Sequence, residues 1–142
     1  MNKTFGTSPS STSMNRFAPE ALSLLRIVSA YLFLLHGSAK LLGMPKIEVF
    51  ANLQLTSPSG ISGIIELVGG ALVLIGLFTR PAAFVMSGTM AFAYFIAHAS
   101  GGNPLFPLMN GGEAAVLFCF VFLFIAAAGA GPWSVDAARR RR

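Results

Sequence analysis

The sequence predicts an all-α integral membrane protein, a four-transmembrane-helix bundle with both termini cytoplasmic, and three observations predict it. Mean hydropathy is +0.70, with 54% hydrophobic and only 11% charged residues, a balance that cannot hydrate the surface of a soluble domain. Four runs, 21–43, 61–79, 81–99 and 111–131, come close to the about 20 apolar residues a spanning helix needs. With the amino terminus inside, that side collects Lys3, Arg16, Arg26, Arg80, Arg139, Arg140, Arg141 and Arg142, against Lys40 and Lys46 outside. Such an excess of Lys and Arg marks a cytoplasmic face.

The elements follow in order. Residues 1–18 carry Asn2, Lys3, Thr4, Ser8, Ser10 and Ser11 with little to bury, so they read as a flexible polar tail ahead of a membrane domain over 19–135. The first apolar run starts late and is full length, so it is expected to be retained rather than removed as a signal peptide. Pro19 and Glu20 suit a first helical turn, where a missing N–H costs nothing and an acid meets the positive end of the helix dipole. Met44 and Pro45 end that helix, and Ile47, Val49, Phe50 and Leu53 are spaced for a short interfacial helix in the loop 46–60. Thr79, Arg80 and Pro81 form a connection so short that the second and third helices must be antiparallel neighbours. The loop 100–104 is rich in turn residues. Gly129 to Pro132 closes the fourth helix, Trp133 marks an interface, and 136–142 is a basic cytoplasmic tail. The net charge of +5 and a pI near 10.2 are explained by membrane sidedness and contact with anionic lipid, with no nucleic-acid partner.

A faint repeat links Phe33-Leu34-Leu35-His36-Gly37-Ser38 to Phe95-Ile96-Ala97-His98-Ala99-Ser100. Each copy precedes a helix with a glutamate near its start, as two hairpins in parallel orientation would give.

With helices alternating in direction, His36, Lys40, Glu66, His98 and Glu113 fall in one layer near the outer face. Charged groups inside a bilayer usually face the bundle interior and pair, so Lys40 is expected to meet Glu66 or Glu113, with the histidines on whichever carboxylate remains. Gly63, Gly69 and Gly70 place Glu66 on a face where helices approach closely. The stripe Arg26, Ala30, Phe33, Gly37 and Lys40 continues the polar face of the first helix inward along the membrane, and Arg26, near the cytoplasmic end, is expected to snorkel to headgroups or meet Asp136. Each residue also has a plain structural reading: Lys40 snorkelling outward, Glu113 in a helix first turn, the histidines as satisfied polar groups.

The lone Cys119 has no cysteine to pair with. No metal site is expected: the ligand set is too poor for tetrahedral zinc, and two histidines near one surface make haem a weak candidate. A partly dehydrated acid, base and lysine layer suits a small polar head such as a quinone's, with proton exchange during its redox cycle.

Leu25-Arg26, His36-Gly37 with Lys40, Glu66-Leu67-Val68-Gly69-Gly70, Gly76-Leu77-Phe78-Thr79-Arg80-Pro81, Asn110-Gly111-Gly112-Glu113 and Gly129-Ala130-Gly131-Pro132 with Asp136 together resemble the DoxX family of small four-helix bacterial membrane proteins. The resemblance covers about residues 20–136. It implies a multi-pass protein of the bacterial cytoplasmic membrane, linked to quinone-dependent oxidoreductases such as thiosulfate:quinone oxidoreductase or terminal quinol oxidase assemblies, and to complexes that resist oxidative and thiol stress. Carried over by position, its recurring polar and small residues are Arg26, Gly37, Lys40, Glu66, Gly70, Arg80 and Glu113. The expected role is a subunit or anchor with a soluble or membrane oxidoreductase partner, Lys40 and a histidine binding the quinone oxygen, and Glu66 or Glu113 relaying protons. A non-catalytic scaffold, a carrier of a small solute or lipid, and a homo-oligomer remain open.

Overall fold

A computed structural model describes residues 15–141, and every regular element among them is helical. The helices are α1 (Ala18–Leu42), α2 (Pro58–Ile75), α3 (Thr79–Ala93), α4 (Pro107–Asn110), α5 (Glu113–Ala128) and α6 (Val135–Arg140). A π-helical turn at Tyr94–His98 and a 3-10 turn at Ala99–Gly101 prolong α3. The expected tail falls largely on residues 1–14, outside the described residues; Asn15–Phe17 form a single 3-10 turn into α1.

Three helices are long and apolar enough to cross a membrane: Ala18–Leu42, Pro58–Ile75 and Thr79–Gly101. The fourth run is shorter than its sequence suggested, because Gly111 and Gly129, at φ +70° and +100°, bracket a helix of 16 residues. At about 1.5 Å per residue it rises roughly 24 Å, against a hydrocarbon core of about 30 Å.

Helix α1 packs along α2 and α3 along α5, with α2 against α3 closing the bundle. Glycine sets the first contact: a Cβ at Gly37 would overlap the Leu67 backbone and come within 2.9 Å of the Glu66 carbonyl carbon. A Cβ at Gly70 would lie 3.1 Å from the Leu34 backbone, so the two backbones meet as small-residue faces allow. The core between the pairs is Ala30, Phe33, Val73, Ala83, Met86, Met90, Phe122 and Ile125. There the Phe33 and Phe122 rings meet edge to face at 4.8 Å, a geometry that aligns ring edge with ring face.

Two local expectations shift. The connection between α2 and α3 is not Thr79-Arg80-Pro81, which form the first turn of α3, but the preceding Gly76, Leu77 and Phe78. Gly76 ends α2 at φ +72° and Phe78 takes φ 49°, so the reversal uses left-handed backbone rather than the proline. In the loop 46–60 the expected interfacial helix is reduced to a 3-10 turn, Glu48–Phe50.

Candidate functional site

The polar residues form two groups at one end of the bundle and a third at the other, where α1 and α3 begin and α2 and α5 end. At this second end Arg26 is fully buried, at 0% exposure. Its Nε donates to the Ala130 carbonyl at 2.7 Å, Nη1 to those of Val73 and Leu74 at 2.5 Å each, and Nη2 to that of Trp133 at 2.5 Å. The expected snorkelling does not occur, because the last-turn carbonyls of α2 and the chain leaving α5 offer inward acceptors that also carry the negative end of a helix dipole. Arg80 serves α5 the same way, donating from Nη1 to Ala127 at 2.7 Å and Ala126 at 3.2 Å, and from Nη2 to Ala128 at 3.4 Å.

Asp136, the other expected partner of Arg26, instead accepts the Phe78 N–H at 3.0 Å and the Thr79 N–H at 2.9 Å, capping α3 from 57 residues away. Burial pushes its carboxyl up, but the hydrogen bonds from Thr79 and Phe78, helped by the Arg140 charge, outweigh this and hold it below its ordinary value. The Trp133 N–H donates to Ser23 Oγ at 3.3 Å and the Asp136 N–H to the Gly76 carbonyl at 2.8 Å. The segment after α5 is therefore fastened across the ends of α1, α2 and α3.

At the opposite end Lys40 takes Glu66 rather than Glu113. Lys40 Nζ lies 2.6 Å from Glu66 Oε1, the one salt bridge among the described residues, and donates to Ser62 Oγ at 2.9 Å. The Phe50 ring lies 5.7 Å from the ammonium, within cation–π range. The side chains are 12% and 2% exposed, and Glu66 Oε2 is buried without a hydrogen-bond partner. Gly63, Gly69 and Gly70 share the buried face of α2 with Glu66, as their spacing predicts. Glu113 stands exposed in the first turn of α5, turned from the bundle because Gly112 packs against the Tyr94 ring.

His98 anchors a separate group. Its Nδ1 lies 3.2 Å from the Asn110 carbonyl, and its ring stacks on Tyr94 at 6.4 Å. Tyr94 Oη donates to the Pro104 carbonyl at 2.6 Å, and Asn110 Nδ2 donates to Tyr94 Oη at 3.3 Å. A carbonyl can only accept, so Nδ1 carries a proton, and in that tautomer Nε2 is left an acceptor. A shallow cleft of about 360 Å³ opens beside it, lined by His98, Asn103, Met109, Asn110 and Gly102. His36 is exposed, with its ring edge toward Phe118 at 6.1 Å. The five residues thus share an end of the bundle but no common hydrogen-bond network. Ser62, Tyr94 and Asn110 complete the two networks; Tyr94 lies one helical turn before His98, and Asn110 opens the Asn110-Gly111-Gly112-Glu113 motif, whereas nothing in the sequence marks Ser62. Cys119 lies apart, its carbonyl accepting from Ser87 Oγ at 2.8 Å.

An all-helical architecture with long apolar helices, lipid-facing Leu, Ile and Phe side chains and buried, paired charges defines a helical membrane protein. The family model for DoxX matches residues 21–99, and the chain belongs to that family. It is 45% identical over 125 residues to an uncharacterised protein of Haemophilus influenzae, covering 87% of this chain and 93% of that protein. It is 29% identical over 125 residues to a Bacillus subtilis protein named "Putative oxidoreductase CatD", covering 87% of this chain and 90% of that one. No solved structure matches it.

Proposed function

We propose that the chain crosses the bacterial inner membrane four times, with both termini cytoplasmic, and serves as a membrane subunit or anchor of a quinone-linked oxidoreductase system. Sulfur-compound oxidation or defence against oxidative and thiol stress is the setting the family suggests. The relative named an oxidoreductase supports the general class. The observation that carries the reading is the half-buried His98 beside an open cleft, with Nδ1 held by the Asn110 carbonyl.

The residues fit a quinol headgroup better at His98 than at Lys40, whose ammonium is already engaged by Glu66, Ser62 and Phe50. When bound there, a quinone supplies a two-electron, two-proton redox couple. His98 Nε2 would accept one hydroxyl proton of the reduced headgroup and release it to solvent at the mouth of the cleft, the second proton leaving to solvent and the electrons to the oxidoreductase partner, while Tyr94 and Asn110 hold the imidazole in one tautomer. The π-helical turn that carries Tyr94 and His98 is a distortion that recurs at functional sites.

His98→Asn tests this, because the amide nitrogen can still donate to the Asn110 carbonyl while the Nε2 acceptor is lost. Quinol-linked turnover in membranes is expected to fall about 100-fold at unchanged protein level, and quinone in organic extracts of the purified protein to fall with it. Unchanged turnover overturns the assignment. A second reading, the non-catalytic anchor, is favoured by the closure of the Lys40–Glu66 pair; it predicts that Glu66→Gln lowers folded yield without altering turnover per folded molecule.

A further inference from the structure

A second cleft, of about 600 Å³, lies at the end of the bundle where Arg26 is buried, between the start of α1 and the end of α5. Its apolar wall is Ala18, Leu22, Phe124 and Ala128, and its rim carries Arg140 and Arg141. The one acid that lines it, Asp136, already accepts the Phe78 and Thr79 N–H groups, so the rim keeps a net positive charge even where Arg140 faces Asp136. Phe124 and Leu22 belong to the apolar helices, whereas Arg140 ends α6 and Arg141 caps it, beyond the end of α5. The cleft therefore runs from the hydrocarbon to the headgroup level.

From this geometry we infer that the cleft is a binding site for one anionic phospholipid, an acyl chain lying along Leu22 and Phe124 and the phosphate meeting Arg140 and Arg141. Charge complementarity selects the anionic lipid: a zwitterionic headgroup brings an ammonium that the two guanidinium groups repel. The site goes beyond a diffuse attraction of the basic terminus, because Arg139 has the same charge but lies outside the cleft, 5.9 Å from the Phe78 ring. It does not rest on the quinone assignment.

Native mass spectrometry of the full chain, exchanged between phosphatidylglycerol and phosphatidylcholine in mild detergent, tests the proposal. The wild-type chain is expected to retain one phosphatidylglycerol with about tenfold preference, a preference lost in Arg140→Gln/Arg141→Gln and kept in Arg139→Gln. Ala128→Phe, which fills the cleft from an exposed position without changing charge, is expected to abolish retention. Three outcomes overturn the proposal: equal loss in Arg139→Gln, retention in Ala128→Phe, or binding that appears only after residues 2–14 are deleted, which would assign the cleft to the chain's own amino-terminal segment.

Discussion

At Arg26 a full charge sits where water does not reach, and four backbone carbonyls from two stretches of chain converge on its guanidinium. The planar fork can face Val73 and Leu74 on one side and Ala130 and Trp133 on the other; an ammonium is a point charge and cannot span them. Arg26→Lys is therefore expected to destabilise the protein by on the order of 3 kcal/mol despite conserving charge, read as a lower midpoint in detergent unfolding. A midpoint equal to wild type would show that charge alone suffices. The sequence placed Arg26 on the right face, since the stripe through Ala30, Phe33 and Gly37 is buried as its spacing predicts. Its partners could not be read, because every residue presents the same carbonyl and only the tertiary fold decides which of them lose their helical donors.

The same limit applies to whole elements. Apolar runs mark α1, α2 and α3 to within a few residues, but the sequence reads the turn between α2 and α3 as Thr79-Arg80-Pro81, although the first turn of a helix tolerates a proline. What starts α3 is Asp136 of α6, a cap without local signature since it acts across 57 residues. The cap predicts a pH response. With its folded value below the ordinary carboxylate range near about 4, Asp136 stabilises the fold in full above that range, and the contribution is lost as pH falls through the lower folded value. Asp136→Asn is expected to be less stable at neutral pH and to lose that component of the acid dependence, measured as unfolding midpoints across an acid series. An unchanged acid slope would place the titration on another carboxyl group.

For the whole molecule, hydropathy read the class and the antiparallel order of the helices, while the polar layer was legible only as a height along the bundle. Helical spacing puts Lys40, Glu66, His98 and Glu113 at one level, but rotation about each axis decides contact, and that rotation is set by Gly37 against Leu67 and Gly112 against Tyr94. The fastening at the opposite end carries the topology further. Ser23 near the start of α1 and Trp133 after α5 share a hydrogen bond, and Arg26 reaches Ala130, so the ends of the helical bundle nearest both termini lie side by side. An odd number of crossings would separate them across the bilayer, so this proximity supports the proposed fourth passage by the 16 residues of α5, its shortfall covered by the chain at Gly129 and Ala130, buried in the protein, or by local thinning of the lipid. With Cys119 replaced by Ala, single cysteines at Arg16 and Arg141 are expected to stay shielded from a membrane-impermeant maleimide in intact cells and to react together once the inner membrane is opened. Labelling of only one of the two in intact cells would mean three crossings, and labelling of both would invert the proposed orientation, which rests on the distribution of arginines.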